Sequence, residues 1–283
     1  MSDAGAVLLA GCGDAGCRAG LLLAAAGRRV YGLRRSEAAL PAPLLPLRAD
    51  LTDAASLRNL PDDIRDVIFL PAPGRRDEAA YRGLFLDGLA NLLDALQRRG
   101  AGLRRLLFVS SSAVYGEHGG AWVDEDSECR PLAFNGRLLL EAERRLAGAG
   151  VSAVVARCSG IYGPGRTRLI DQVVNGQARR PAGAPEFSNR IHVDDVAGAL
   201  AHLVGLAEVQ SCYVLSDDEP VPLDQVQSWL ARQLRLPPLP PGAASGERAV
   251  GSKRLCNRRL RASGYELRHA DFRSGYAPLL AGR

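Results

Sequence analysis

Gly11-Cys12-Gly13-Asp14-Ala15-Gly16 is a G-x-G-x-x-G placed directly between an apolar run, Ala6 to Ala10, and an amphipathic one. In that setting Gly11 permits a tight turn, Gly13 lets a pyrophosphate approach the backbone, and Gly16 lets a helix pack closely on a strand. Asp14 and Ala15 complete the loop, which runs directly into a helix beginning around Gly16 whose N-terminus would face the phosphates. The competing reading, a merely glycine-rich turn, is disfavoured by the strand-to-helix placement. About 20 residues on, where an NAD site places an acid on the ribose 2′-hydroxyl, the chain reads Leu33-Arg34-Arg35-Ser36, with no acid before Glu37. Two guanidiniums there suit a 2′-phosphate, so the cofactor expected is NADP. The alternative is that Arg34 and Arg35 are solvated charges at a strand end.

The elements that must hold such a loop are legible as alternating short aliphatic and longer amphipathic runs, the pattern of βαβ units feeding a parallel sheet. Strands are expected at Ala6 to Ala10, Arg29 to Leu33, Leu44 to Arg48, Val67 to Leu70, Leu106 to Ser110, Ala153 to Arg157 and Cys212 to Leu215. Helices are expected at Gly16 to Ala26, Glu78 to Arg99, Leu132 to Ala147, Asp194 to Leu206 and Leu223 to Leu234. The Pro/Gly/Ala-rich stretch Pro237 to Gly246 reads as an exposed loop. Ser252 to Arg283 is too poor in apolar residues for a core of its own and must pack on what precedes it. The fold class that follows is α/β: a Rossmann-type doubly wound parallel sheet (residues 1–160 and 192–217) with a smaller, discontinuous C-terminal substrate lobe (161–191 and 218–283).

Composition narrows the function. The 283 residues carry 36 basic and 31 acidic side chains, a formal charge of +5, and 47% hydrophobic residues. This is ordinary globular usage, with the charge spread along the chain. The Arg-rich segment Arg254, Arg258, Arg259, Arg261 lacks interleaved aromatics, so no nucleic-acid partner is expected. No apolar run approaches the ~20 residues that cross a bilayer, and no signal peptide is evident, so a cytoplasmic protein without a membrane partner is expected. Six scattered cysteines without a C-x-x-C read as reduced thiols, and no metal site is expected. Asp194 and Asp195 sit where a helix begins, which explains acids there, and His192 is read as ordering the loop. Lys253 is the only lysine in the chain.

Leu106 to Gly116, Leu-Leu-Phe-Val-Ser-Ser-Ser-Ala-Val-Tyr-Gly, resembles the strand and turn of the extended short-chain dehydrogenase/reductases, the NAD(P)-dependent epimerase/dehydratase group. Asp50-Leu51-Thr52-Asp53, Ile161-Tyr162-Gly163-Pro164-Gly165-Arg166 and Ile191-His192-Val193-Asp194-Asp195-Val196 agree with it. Ser252-Lys253-Arg254-Leu255-Cys256-Asn257, with Ser216-Asp217-Asp218-Glu219-Pro220, looks like the atypical YeeZ-like subgroup. The resemblance implies that Gly11, Gly13 and Gly16 hold the diphosphate and Arg34 and Arg35 the 2′-phosphate. It implies that Asp50 and Leu51 hold the adenine, that Leu70, Pro71 and Ala72 line the nicotinamide ribose, and that Ser110 and Ser111 reach the nicotinamide side. It further implies a small-molecule substrate, a nucleotide sugar being one candidate, and a homodimer.

One part of the pattern is broken. The family's Tyr-x-x-x-Lys pair sits one helical turn apart so that the lysine lowers the tyrosine pKa for proton exchange. Aligned on Pro131 to Glu143, Asn135 falls at the tyrosine and Leu139 at the lysine. A carboxamide can orient a hydroxyl or carbonyl but has no proton to give. Ser111 keeps the family's spacing to Tyr115, and its hydroxyl either holds a substrate oxygen or satisfies backbone at a strand end. A replacement acid would come from Tyr115, Glu117, His118 or Tyr162, and Arg190 lies near where related enzymes hold a substrate phosphate. Two functions follow: an NADP-dependent epimerase/dehydratase-like oxidoreductase with relocated proton chemistry, or a catalytically silent NADP(H)-sensing or partner-binding protein.

Overall fold

The computed structural model describes residues 5–100, 102–181, 183–242 and 251–281. In chain order the strands are β1 (Ala6–Ala10), β2 (Val30–Arg34), β3 (Leu45–Arg48), β4 (Ile64–Phe69), β5 (Arg105–Ser111), β6 (Trp122–Val123), β7 (Ala153–Cys158), β8 (Gly160–Tyr162), β9 (Phe187–Ser188), β10 (Arg190–His192), β11 (Cys212–Leu215), β12 (Val221–Pro222) and β13 (Arg254–Leu255). The helices are α1 (Asp14–Ala25), α2 (Glu78–Arg82), α3 (Gly88–Gln97), α4 (Phe134–Ala147), α5 (Arg168–Val174), α6 (Val193–Gly205), α7 (Leu223–Gln233), α8 (Arg258–Ala262) and α9 (Phe272–Ala281). Seven strands form one parallel sheet in the order β11-β7-β5-β4-β1-β2-β3. The seven expected strands are these seven, with ends shifted by up to three residues.

The chain packs as two compact units, and the first comprises residues 1–111, 137–157 and 196–213. At its centre β1 pairs in parallel with both β2 and β4. All five of its residues are buried, the unbroken apolar run of a strand covered on both faces. Pro46, which cannot donate to a ladder, sits in the outermost strand β3, where three of four residues are exposed. The expected helix Glu78 to Arg99 is divided by a π-helical turn at Gly83–Asp87 into α2 and α3. In α3, Leu89, Leu92, Leu93 and Leu96 make the buried stripe. Phe69 and Phe108 stack at 5.6 Å, with Phe85 edge-on to Phe108.

Asp66 and Arg105 are buried charges in this unit that meet partners. Asp66, on β4 and fully buried, accepts from Arg28 at 2.6 Å and Arg104 at 2.7 Å. Arg105 donates to the carbonyls of Leu203 (2.6 Å) and Leu206 (2.8 Å), which the end of α6 leaves without helical donors.

The second unit comprises residues 112–136, 158–195 and 214–283. Short pairings organise it: β10 with β8 and β13 with β6 in parallel, β12 with β9 antiparallel. Its core gathers Tyr162, Ile170, Val173, Val226, Leu230, Phe272 and Tyr276. The C-terminal segment packs on earlier residues, as its composition requires: Asn257 donates to the Ser216 carbonyl at 2.9 Å. Asp195 accepts from the Tyr265 hydroxyl and from the backbone N–H groups of Arg268 and His269. Residues 237–242 are irregular, and the rest of the loop expected over Pro237 to Gly246 lies outside the described residues.

Candidate functional site

In the first unit a cleft of about 780 Å³ opens at the ends of β1, β2 and β4 and is lined by residues 11–13, 33–36, 49–52 and 71–74, with Ala79, Ala80, Gly83 and Leu84. The glycine loop forms one wall. Gly11 has φ +93°, and a Cβ there would lie 2.4 Å from Pro71 Cα, so glycine is demanded by both backbone conformation and space. A Cβ on Gly13 would meet nothing within 4 Å. No side chain caps α1, for which Gly13 is the N-cap, so its first turn presents backbone N–H groups and the positive end of its dipole beside that space. The close helix-to-sheet approach falls elsewhere than the motif suggests. A Cβ on Gly16 would make ordinary contact with Leu70 Cδ1 at 3.4 Å, whereas on Gly20 it would collide with Leu9 Cδ1 at 2.7 Å.

Arg34 and Arg35 both line the cleft. Arg34 Nη2 donates to the carbonyls of Ala38 and, at 2.6 Å, Ala39, which folds the β2–β3 loop around its guanidinium. Arg35 is exposed, with Nη1 3.8 Å from Asp50 Oδ2. Asp50 is fixed by its loop: its Oδ1 accepts from the Thr52 N–H (2.9 Å) and Thr52 hydroxyl (2.7 Å), and its own N–H donates to Ser56 Oγ. Glu37 pairs with Arg48 and is absent from the lining. Of the remaining residues assigned to the cofactor, Leu51, Pro71 and Ala72 line the cleft. Asp14, Ala15 and Gly16 form the first turn of α1, and Leu70 packs beneath Gly16. Thr52 also lines the cleft, as do the small residues Gly74, Ala79, Ala80 and Gly83, which no motif marks.

Ser110 and Ser111 end β5. The Ser110 hydroxyl donates to Glu143 Oε1, and Glu143, buried on α4, is held by Arg157 of β7 at 2.8 Å. Ser110 is therefore committed to a buried charge-assisted network that sequence spacing does not announce. Ser111 is half-buried. Leu139, at the lysine position, is buried among the apolar residues of α4, and Asn135 is half-buried in the first turn of that helix.

Within the second unit Tyr115 is fully buried, and its carbonyl lies 2.9 Å from His118 Nε2. Burial tends to raise the Glu117 carboxyl, but the backbone N–H groups of Ser252, Gly119 and His118 outweigh it and hold the pKa below the usual range. Lys253 is buried, with Nζ donating to the Gly116 carbonyl at 3.1 Å, so the one lysine lies beside the turn that carries Tyr115. Arg190 is buried too, donating to Ser188 Oγ at 2.6 Å and standing over the Phe272 ring. Burial, followed by the field of Asp217, pushes the Tyr162 hydroxyl far above its ordinary range, and that hydroxyl has no hydrogen-bond partner.

His269, unmarked by any motif, lies against His192 with ring centroids 4.0 Å apart and the rings tilted by 52°. With Asp194 these are three groups whose ligand atoms lie within 4.8 Å of one another. The Asp194 N–H already donates to His192 Nδ1 at 3.2 Å, and His269 Nδ1 lies 3.2 Å from the Ser274 carbonyl. Local hydrogen bonding thus accounts for both rings. Among the described residues no helix is long and apolar enough to cross a membrane.

Residues 13–211 match the NAD dependent epimerase/dehydratase family. A solved structure assigned as an NAD-dependent epimerase/dehydratase from Methylobacillus flagellatus is 37% identical, with 98% of each chain covered and a TM-score of 0.82. A functionally unknown conserved protein from Silicibacter pomeroyi DSS is 30% identical over 98% of this chain and 99% of its own, with a TM-score of 0.80. MoeE5, solved in complex with UDP-glucuronic acid and NAD, is 26% identical over 98% of both chains, with a TM-score of 0.79. No curated protein matches the chain. The match covers well over half the sequence, takes in most of the glycine loop and agrees with the sheet order, so the chain belongs to the NAD dependent epimerase/dehydratase family.

Proposed function

We propose that this chain is an NADP-dependent oxidoreductase of the epimerase/dehydratase type, in the YeeZ-like subgroup, acting in the cytoplasm on a small hydroxyl- or carbonyl-bearing substrate such as a nucleotide sugar. The observation that carries the reading is the cleft in the first unit. Open space at Gly13 and the uncapped N-terminus of α1 suit a diphosphate, while Arg34 and Arg35 line the same cleft and Glu37 is turned to Arg48. NAD and UDP-glucuronic acid bound to MoeE5 support the cofactor and substrate classes. Bound there, the nicotinamide would supply hydride transfer.

The chain's own residues would do the remaining work. Gly11 and Gly13 admit the phosphates, Arg35 and Arg34 bind the 2′-phosphate, Asp50 and Leu51 flank the adenine, and Pro71 and Ala72 close on the ribose. Ser111, with Asn135, would position the substrate's hydroxyl or carbonyl. Pairing of two copies through α3 and α4 belongs to the same reading.

Calorimetry with both dinucleotides tests it. NADP is expected to bind at least about tenfold more tightly than NAD, and Arg34→Ala with Arg35→Ala to erase the difference, since a charge-assisted hydrogen bond contributes about 1.5–3 kcal/mol. Tighter NAD overturns the cofactor assignment; silence with both overturns the site. The buried Leu139 and Tyr115 favour a second reading, a silent NADP(H) sensor. Turnover of NADPH with any of a panel of carbonyl compounds and nucleotide sugars, lost in Ser111→Ala, would exclude it.

A further inference from the structure

Two of the six cysteines lie in and just after the glycine loop. Cys12, two positions before the first residue of α1, is 1% exposed and lines the cleft. Cys17 lies in the first turns of α1 and is half-buried, its N–H donating to the Gly13 carbonyl at 2.8 Å. Their sulfurs face each other across 3.7 Å. The Cys12 side chain is confined from both other sides: a Cβ on Gly32 of β2 would come within 2.9 Å of its sulfur, and one on Gly16 within 3.6 Å. Gly32 is thus the residue that makes room for this thiol beneath the loop. Among the described residues the six cysteines form no disulfide with one another.

We propose that Cys12 and Cys17 are a reversible dithiol–disulfide pair built into the nucleotide loop, oxidised by a peroxide and reduced by a thiol, and that the disulfide form releases the dinucleotide. The second half rests on the cofactor reading above; the first does not. In the forward direction the more accessible Cys17 sulfur attacks the peroxide O–O bond, becoming a sulfenic acid while the other oxygen leaves as water. The Cys12 thiol then attacks that sulfur, the S–O bond breaks, and its proton leaves with the oxygen as a second water. Two thiols and one hydrogen peroxide give one disulfide and two waters. Burial and the neighbouring Cys17 push the Cys12 thiol up to about 12, which suits the enclosed, resolving role better than first attack.

The coupling is mechanical. A disulfide holds its sulfurs about 2.05 Å apart, so they must close by roughly 1.7 Å from their present contact. The intervening residues are the Gly13-Asp14-Ala15-Gly16 turn, whose backbone is the phosphate cradle, so the contraction is taken up where the ligand would sit. By linkage, a bound dinucleotide must oppose oxidation to the same degree that oxidation opposes binding.

The experiment treats the full chain with hydrogen peroxide, blocks remaining thiols by alkylation, maps disulfides by peptide mass spectrometry, and titrates NADPH fluorescence before and after. Expected are a Cys12–Cys17 peptide lighter by two hydrogens, restored to thiols by dithiothreitol, an NADPH affinity at least about tenfold weaker in the oxidised form, and slower oxidation with NADPH present. Cys17→Ala should bind NADPH as the parent does and keep that affinity through peroxide treatment. Oxidation that gives only sulfinic acid, or a disulfide between other cysteines, overturns the pair. A Cys12–Cys17 disulfide with unchanged NADPH affinity overturns the release. Failure of the fully reduced protein to bind NADPH condemns the cofactor reading and the release with it, while the mass map still decides the pair.

Discussion

Asp66 in the first unit and Asp217 in the second are both buried, and they are treated in opposite ways. Asp66 in the first unit is inaccessible and is gripped by two guanidiniums, Arg28 and Arg104. Asp217 in the second is 1% exposed, and neither of its oxygens has a hydrogen-bond partner. Burial raises its pKa to about 8, against the field of Arg190 and the pull of the Glu219 backbone N–H, which lower it. Around it the Tyr162 hydroxyl and Arg190 Nη1 are orphaned as well. The lesson is that location alone does not set the electrostatic character of a buried acid. Gripped by two guanidiniums, one acid is anchored in place; left without a direct ion-pair partner, the other is pushed by burial toward its protonated form.

The sharpest way to break this comparison is by pH. Unfolded, Asp217 loses its proton near 3.8; folded, it keeps it to about 8. Between those values the folded state binds the extra proton, so stability is fully present below pH 3.8 and is lost as pH rises through 8. By pH 8 the loss relative to acid pH is on the order of 5 kcal/mol. Asp217→Asn should therefore melt higher than the parent at pH 8 and flatten the denaturant-midpoint profile between pH 5 and 8; an unchanged profile would show that Asp217 is ionised and partnered.

Asp66→Asn should do the reverse, losing about 3 kcal/mol in urea unfolding at pH 7 because two guanidiniums are left facing one another. Gain of stability there would erase the contrast. Within the first unit, Ser110→Ala removes a hydrogen bond to the buried Glu143 carboxylate and should cost about 1.5–3 kcal/mol; a neutral result would return the Ser110 hydroxyl to the candidates for substrate contact. At the weak end, the exposed Arg18–Asp14 pair on α1 should shift stability by only about 0.3–0.5 kcal/mol in Arg18→Ala, readable as an almost unmoved melting curve.

What the sequence disclosed, and what it hid, divides along the range of the interactions. Unbroken apolar runs such as Ala6–Ala10 mark buried parallel strands because their environment is uniform along the strand. The glycine loop is legible because its backbone demands are local, as φ +93° at Gly11 illustrates. The division of Glu78 to Arg99 at Gly83–Asp87 was not, since a single extra residue per turn leaves the apolar periodicity nearly intact. Ser110 reads as a cleft residue until Glu143 and Arg157, 33 and 47 positions later, are seen to claim it. His269 beside His192 and Lys253 beside Gly116 depend on pairings more than 70 residues apart, for which no spacing rule exists.

The seclusion of Lys253 has a practical corollary. With its ammonium group closed off against the Gly116 carbonyl, the folded chain offers acylating reagents no accessible ε-amine. Ester-activated dyes and amine cross-linkers should leave Lys253 itself unlabelled until the chain unfolds, the α-amine aside. Acquisition of a label at that one position would then report global opening of the second unit, without any engineered probe.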